Sequence, residues 1–215
     1  MGRCLIKKHH FNKTKFGNIS LTKFSQDNPT YTATQGCLAI LSCDAAGGSS
    51  ITTTGEILYQ SNTIPNACIL IRMKAGDTLK YTSSNYPTGS IINLKNLSAE
   101  LIQHNYVYGN QSGGARNSTA YIPNPPDVGA LYLGVGNYNW HSIVSGSNPR
   151  TVLNQSDCFT SMAENTSGRW AGNKQWTIVP NATTSTAYVQ SYVNPDGYYG
   201  STNTGAWMFK LTQKI

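Results

Sequence analysis

Charge is scarce in this 215-residue chain, of which Asp, Glu, Lys and Arg make up only 12%. Disordered segments combine high charge with few aromatics, so a sequence with 13 Tyr and 4 Trp reads as folded, with an uncharged polar surface. Long apolar runs are missing as well. No stretch approaches the roughly 18 residues of a membrane-spanning helix, so membrane insertion is not expected. The opening "MGRCLIKKHHFNKTKFGNISL" lacks the apolar centre and small-residue cleavage site of a secretory signal. Its "GRCLIK" has Ile6, or Leu5 on another count, where a myristoylation signal needs Ser or Thr.

Residues that carry chemistry are also few. Cys4, Cys37, Cys43, Cys68 and Cys158 are odd in number, irregularly spaced and without a CxxC pair, which reads as buried free thiols rather than a disulfide framework. His9 and His10 adjoin near the start, and His104 and His141 stand alone, so no metal-ligand spacing exists and no metal or other cofactor is expected. GxSxG, HExxH and phosphate-binding glycine loops are absent. Asp157 and Glu164 are the one close acidic pair of the second half, in the loop-like "QSDCFTSMAEN". The chain is therefore expected not to be an enzyme, although a glycosidase pair need not be close in sequence.

Positive charge is present but localised. Arg3, Lys7, Lys8, Lys13, Lys15 and Lys23 precede the first acid, Asp27, after which ten basic residues face nine acidic ones. The body is nearly neutral, and only the basic start would be drawn to an acidic surface, so nucleic acid is not expected as the partner.

Strand signals dominate the rest. The short runs Gly36–Cys43, Gly55–Ser61, Ala67–Met73, Asp77–Ser83 and Ser90–Leu97 are bounded by Gly, Pro, Asn or Ser. A second set follows at Gly129–Val135, Thr151–Gln155, Lys174–Val179, Thr186–Val193 and Ala206–Gln213. Asn96–Gly109 reads as a final strand plus connector. Such spacing predicts an all-β antiparallel sandwich or barrel. The halves also echo each other in order: "QGCLAIL" with "VGALYLG", "LYQSN" with "LNQSD", and "TGSIINLKNL" with "TGAWMFKLTQ". The expected organisation is a basic segment (1–29), a first β-domain (30–108), a Gly/Pro/Ser/Asn-rich linker (109–127) and a similar second β-domain (128–215). One large sandwich remains the alternative.

Two features invite a functional reading. In "MKAGDTLKY", Gly76 can take a positive φ and Asp77 can bind backbone N–H groups, so Asp77 is expected at a tight hairpin corner rather than in catalysis. The second half sets its aromatics among Gly, Asn and Ser in "GNYNWHS", "SGRWAGNKQW" and "NPDGYYGSTNTGAW". Tyr138, Trp140, Trp170, Tyr198 and Tyr199 are candidate contacts for a glycan or receptor, whereas Trp176 and Trp207 lie in strand patterns and are expected in the core.

The ordered elements "TATQGCLAI", "ITTTGEIL" and "LIRMKAGDTL" approximate the pattern T-A-x-x-G-x-L-x-I, I-x-x-x-G-x-x-[IL], [IV]-x-[VL]-K-x-G-D-x-[IVL], with Met73 where the last has Val or Leu. Over residues 30–100 this resembles the distal jelly-roll heads of bacteriophage fibre and appendage proteins, which share the architecture of tumour-necrosis-factor-like trimeric domains. The resemblance departs from the usual arrangement in that about 115 residues follow the head-like part. It implies a jelly-roll β-sandwich, a homotrimer and a non-enzymatic virion protein, a fibre or decoration subunit located on the particle. Arg3, Lys7, Lys8, Lys13 and Lys15 would anchor it to other virion proteins of the capsid or tail, and a host-surface glycan or protein would be its outward partner. A free carbohydrate-binding module or lectin using the aromatic loops is the alternative.

Overall fold

The computed structural model describes residues 21–24, 30–42, 50–62, 67–82, 88–109, 116–128, 130–140, 150–155, 158–166, 171–180, 184, 186–193 and 202–213. Their regular elements are all β-strands. The first eight are β1 (Leu21–Phe24), β2 (Thr30–Thr32), β3 (Cys37–Ser42), β4 (Ser50–Thr53), β5 (Glu56–Gln60), β6 (Ile69–Met73), β7 (Thr78–Thr82) and β8 (Thr88–Ile92). The second eight are β9 (Leu97–Gly109), β10 (Arg116–Tyr121), β11 (Leu131–Trp140), β12 (Arg150–Gln155), β13 (Cys158–Thr166), β14 (Ala171–Pro180), β15 (Ala187–Val193) and β16 (Thr202–Gln213).

The strands form four antiparallel sheets. In the first half these are an inner sheet ordered β1-β8-β3-β6-β5 and an outer sheet β2-β7-β4. The second half has an inner sheet β9-β16-β11-β14-β13 and an outer sheet β10-β15-β12. Adding eight to each strand number of the first half reproduces the second. The likeness extends to single bonds: Ala33 N–H, just after β2, donates to Asp77 O at 2.9 Å, and Ile122 N–H, just after β10, donates to Ala187 O at 2.9 Å.

Three apolar layers stack the four sheets. Ala39, Leu41, Ile69, Ile71, Leu79 and Tyr81 fill the space between the first outer and inner sheets. Tyr132, Trp176, Ile178, Val189 and Met208 do the same in the second half. Between the two inner sheets lie Leu38, Ile40, Leu70 and Ile92 from one side and Leu131, Leu133, Val135, Trp207 and Phe209 from the other. This central layer explains why "CLAIL" runs apolar without alternation. Leu38 and Ile40 face the other half while Cys37, Ala39 and Leu41 face the first outer sheet, so both faces of β3 are buried.

A polar cluster pins one end of the central layer. The Ser42 hydroxyl lies 3.0 Å from both the Ala67 carbonyl and the Asn173 side-chain amide, and Asn137 Nδ2 donates to the same carbonyl at 3.2 Å. Ser42, Asn137 and Asn173 are all buried, so a slip of one inner sheet over the other would strand these groups without partners. Trp207 stands in the same layer, its ring centroid 6.3 Å from that of Tyr106. A Cβ on Gly205 would fall 2.3 Å from the Trp207 ring, so only glycine fits beneath the indole.

Several expectations change. Residues 21–24, assigned to the basic segment, form edge strand β1, which pairs with β8 and buries Leu21. Within Asn96–Gly109, Leu97–Gly109 is one continuous strand, and it pairs with β16 of the second half. The stretch 109–127, expected as a linker, contains β10, paired along its length with β15. Its Ser, Thr and Asn read as turn chemistry, but Ser118 and Ala120 point inward and are buried, an alternation too weakly apolar to signal a strand alone. The chain between the halves is only residues 93–96, where Asn96 takes a φ of 59°. Of the three echoed pairs, the first joins β3 to β11 and the third β8 to β16, matching the strand order. "LYQSN" lies on β5 and "LNQSD" on β12, which are not equivalent. Glu164, expected in a loop, lies on β13 opposite Lys174.

Candidate functional site

Asp77 lies in a tight turn, though not in a hairpin. Lys74–Asp77 close a β-turn in which Asp77 N–H donates to Lys74 O at 3.1 Å and Gly76 takes a φ of 89°, the arrangement of a type II turn. The strands on either side, β6 and β7, belong to the inner and outer sheets, so the turn is a corner between layers. The Asp77 carboxylate accepts from Lys74 N–H at 2.7 Å and from the Thr54 hydroxyl at 3.1 Å. Thr54 Oγ1 in turn accepts from Thr78 N–H at 2.9 Å, and Gly76 N–H donates to Ala33 O at 2.8 Å. The carboxylate thus ties β6 and β7 to the segment after β4. Asp77→Ala is expected to lower stability by about 1–2 kcal/mol in a denaturant titration, with a smaller loss for Asp77→Asn, which keeps one acceptor oxygen. Unchanged stability in both variants would refute this structural role.

A cleft of about 680 Å³ opens beside the corner, lined by Thr54, Glu56, Arg72, Lys74, Asp77 and Lys95 among others. Its two carboxylates are already engaged. Glu56 pairs with the Arg72 guanidinium, whose Nη1 also reaches Leu97 O at 3.4 Å, and Asp77 holds the turn. Arg72 therefore clasps β5 of the first half to β9 of the second. On the other face of β3, the Tyr31 hydroxyl lies 4.0 Å from Cys37 Sγ. Burial, with Cys37 adding to it, pushes Tyr31 up to about 12. Burial also raises the Cys37 thiol, which keeps it protonated and a poor nucleophile. Cys37 and Cys68 are buried thiols outside any disulfide, as expected of them. Among the described residues no group of three or more His, Cys, Asp or Glu could hold a metal ion.

The aromatic candidates are not brought together. Tyr138, expected at the surface, is buried with 3% exposure. The reason is its strand: β11 is central in its sheet and covered by the other inner sheet on one face and the second outer sheet on the other, so every side chain from Leu131 to Tyr138 is buried. Trp140 ends the same strand, its backbone opposite Thr202. Trp170, Tyr198, Tyr199, Arg3, Lys7, Lys8, Lys13 and Lys15 lie outside the described residues. Trp176 and Trp207 are core residues, as their strand patterns indicated.

A different aromatic surface appears on the second outer sheet. Tyr121 of β10, Tyr188 of β15 and Asn154 of β12 lie side by side in register. Tyr121 is 46% exposed, its ring centroid is 5.0 Å from that of Tyr188, and Asn154 Nδ2 donates to the Tyr188 hydroxyl at 2.7 Å. The next row is Thr119, Gln190 and Val152, with Gln190 Nε2 donating to Thr119 Oγ1 at 3.4 Å. Sequence reasoning passed over these residues because they sit in strands, not aromatic loops. The signal was the period of two in "AYVQSYV", which sends Tyr188, Gln190 and Tyr192 to one face and the buried Ala187, Val189 and Ser191 to the other. Set against known proteins, the chain matches no protein family, no curated protein and no solved structure.

Proposed function

We propose that this chain is a non-enzymatic structural protein of a virion, a fibre or decoration subunit that docks through its basic N-terminal segment and displays two tandem jelly-roll units. The repeated strand order carries the reading. In each half the first, eighth, third and sixth strands share one sheet and the second, seventh and fourth the other, an order that supports a double Greek-key, jelly-roll-like unit, while the fifth strand departs from it by pairing with the sixth instead of lying beside the fourth. The units run from β1 to β8 and from β9 to β16, a division that replaces the one expected from composition. The K-x-G-D corner, whose carboxylate is spent on backbone and hydroxyl donors, supports a scaffold role rather than chemistry at this point.

Homotrimer formation belongs to the same proposal but loses one of its supports. The second apolar face of strands such as "ILIRM" is covered by the chain's own second half, so a partner subunit is not needed to bury it. A trimer would use the outer sheets or the free sheet edges. Attachment is tested by deleting residues 1–20, a cut that spares β1. The truncated protein is expected to stay folded but to be lost from purified particles, whereas normal incorporation would overturn the anchoring role of Arg3, Lys7, Lys8, Lys13 and Lys15.

A further inference from the structure

Comparison of the two outer sheets within the one chain isolates a difference that folding does not require. Where the second unit has Tyr121, Tyr188 and Asn154, the first has Thr32 opposite Thr78, with Thr54 N–H bonded to Thr78 O at 3.0 Å. In the next row the first unit has Thr30, Lys80 and Thr52 where the second has Thr119, Gln190 and Val152. The inward residues of both sheets, Leu79 and Val189 for example, are buried alike. Two phenol rings and two amides have thus replaced threonines and a lysine on an outward face, although the smaller residues satisfy the same scaffold.

We propose that this face of β10, β15 and β12 is a binding platform for an uncharged oligosaccharide. The two rows Tyr121, Tyr188, Asn154 and Thr119, Gln190, Val152 bear no charge, and Arg150 enters only one row further along β12, opposite Tyr192, so the Tyr121 end of the face suits a neutral, hydroxyl-rich ligand. The half-exposed Tyr121 ring offers an apolar face for a pyranose ring. The Tyr188 hydroxyl accepts from Asn154, which leaves its own proton to donate to a ligand, while the Asn154 carbonyl oxygen can accept. Adjacent strands lie about 4.8 Å apart, so Tyr121 and Asn154, two strands apart, are separated by roughly 10 Å, enough for two sugar rings. No covalent step is involved.

The inference does not depend on particle attachment, because the isolated full-length chain should bind. The probes are neutral cello-, malto-, manno- and galacto-oligosaccharides, immobilised for a first screen and titrated calorimetrically in solution. At least one is expected to bind, with an affinity insensitive to salt. Tyr121→Ala should weaken it about tenfold or more with an unchanged melting temperature, and Tyr121→Phe should bind far better than Tyr121→Ala. Lys80→Ala, on the other outer sheet, should have no effect. Three results would each overturn the proposal: no binding to any neutral probe, binding indifferent to Tyr121→Ala, or a Tyr121→Ala variant whose altered property is its oligomeric mass, marking the face as a subunit contact.

Discussion

Replacing Trp207 with alanine is expected to lower the unfolding free energy by about 3–5 kcal/mol, among the largest losses available to a single substitution in this chain. Trp207 is fully buried and belongs to the layer between the two inner sheets. Its ring fills the space over Gly205, where no Cβ fits, and approaches Tyr106. The sheets cannot collapse onto the vacated volume without moving the buried Ser42, Asn137 and Asn173 groups, so most of the cavity would persist. Calorimetry would show a single transition at a markedly lower temperature. A loss below about 1 kcal/mol would mean that the central layer is loosely packed. A transition split in two would mean that the halves melt separately.

Separating the halves should have a still larger effect. Residues 1–95 expressed alone would expose Leu38, Ile40, Leu70 and Ile92 on one sheet face, together with Cys68 and Leu21. Contiguous apolar patches beyond a few hundred Å² are uncommon on soluble monomers. The fragment is expected to aggregate or to bind a hydrophobic dye, and co-expression with residues 96–215 should restore a soluble complex of one copy of each. The Arg72 clasp to Leu97 O and the Ser42–Asn173 contact would re-form in that complex. A monomeric 1–95 fragment that melts cooperatively at the temperature of the intact chain would contradict the shared core.

The sequence was legible where local pattern and final environment agree. The ten anticipated strand runs all contain strands, although Gly136, Asn173, Pro180 and Gly205, read as boundaries, lie inside β11, β14 and β16. Asp77 was legible as a turn because Lys-Ala-Gly-Asp encodes the positive φ and the side-chain acceptor together, but its linking of two sheets depends on pairing partners distant in sequence. The role of "CLAIL" and "LYLGV" was harder to read, since a continuous apolar run does not say whether a partner subunit or the chain's own second half covers the extra face. β1, β2, β4, β10 and β13 were missed because "LTKF", "TYT", "SITT", "RNSTAY" and "CFTSMAENT" owe their conformation to the neighbouring strand more than to apolar alternation. Tyr138 shows the same limit from the other side: Asn and Gly neighbours suggested a loop, yet a central strand between two packed sheets buries all its side chains.

The functional reading rests on whether the chain is part of a particle at all. Electron cryomicroscopy of purified virions from the source culture, with mass spectrometry of the same preparation, measures this directly. The account expects the protein at a fixed copy number per particle, its stacked four-sheet body projecting outward with β1 and the basic segment toward the particle. Recovery of the protein only in the particle-free fraction, with no density for this body on the virion, would contradict it.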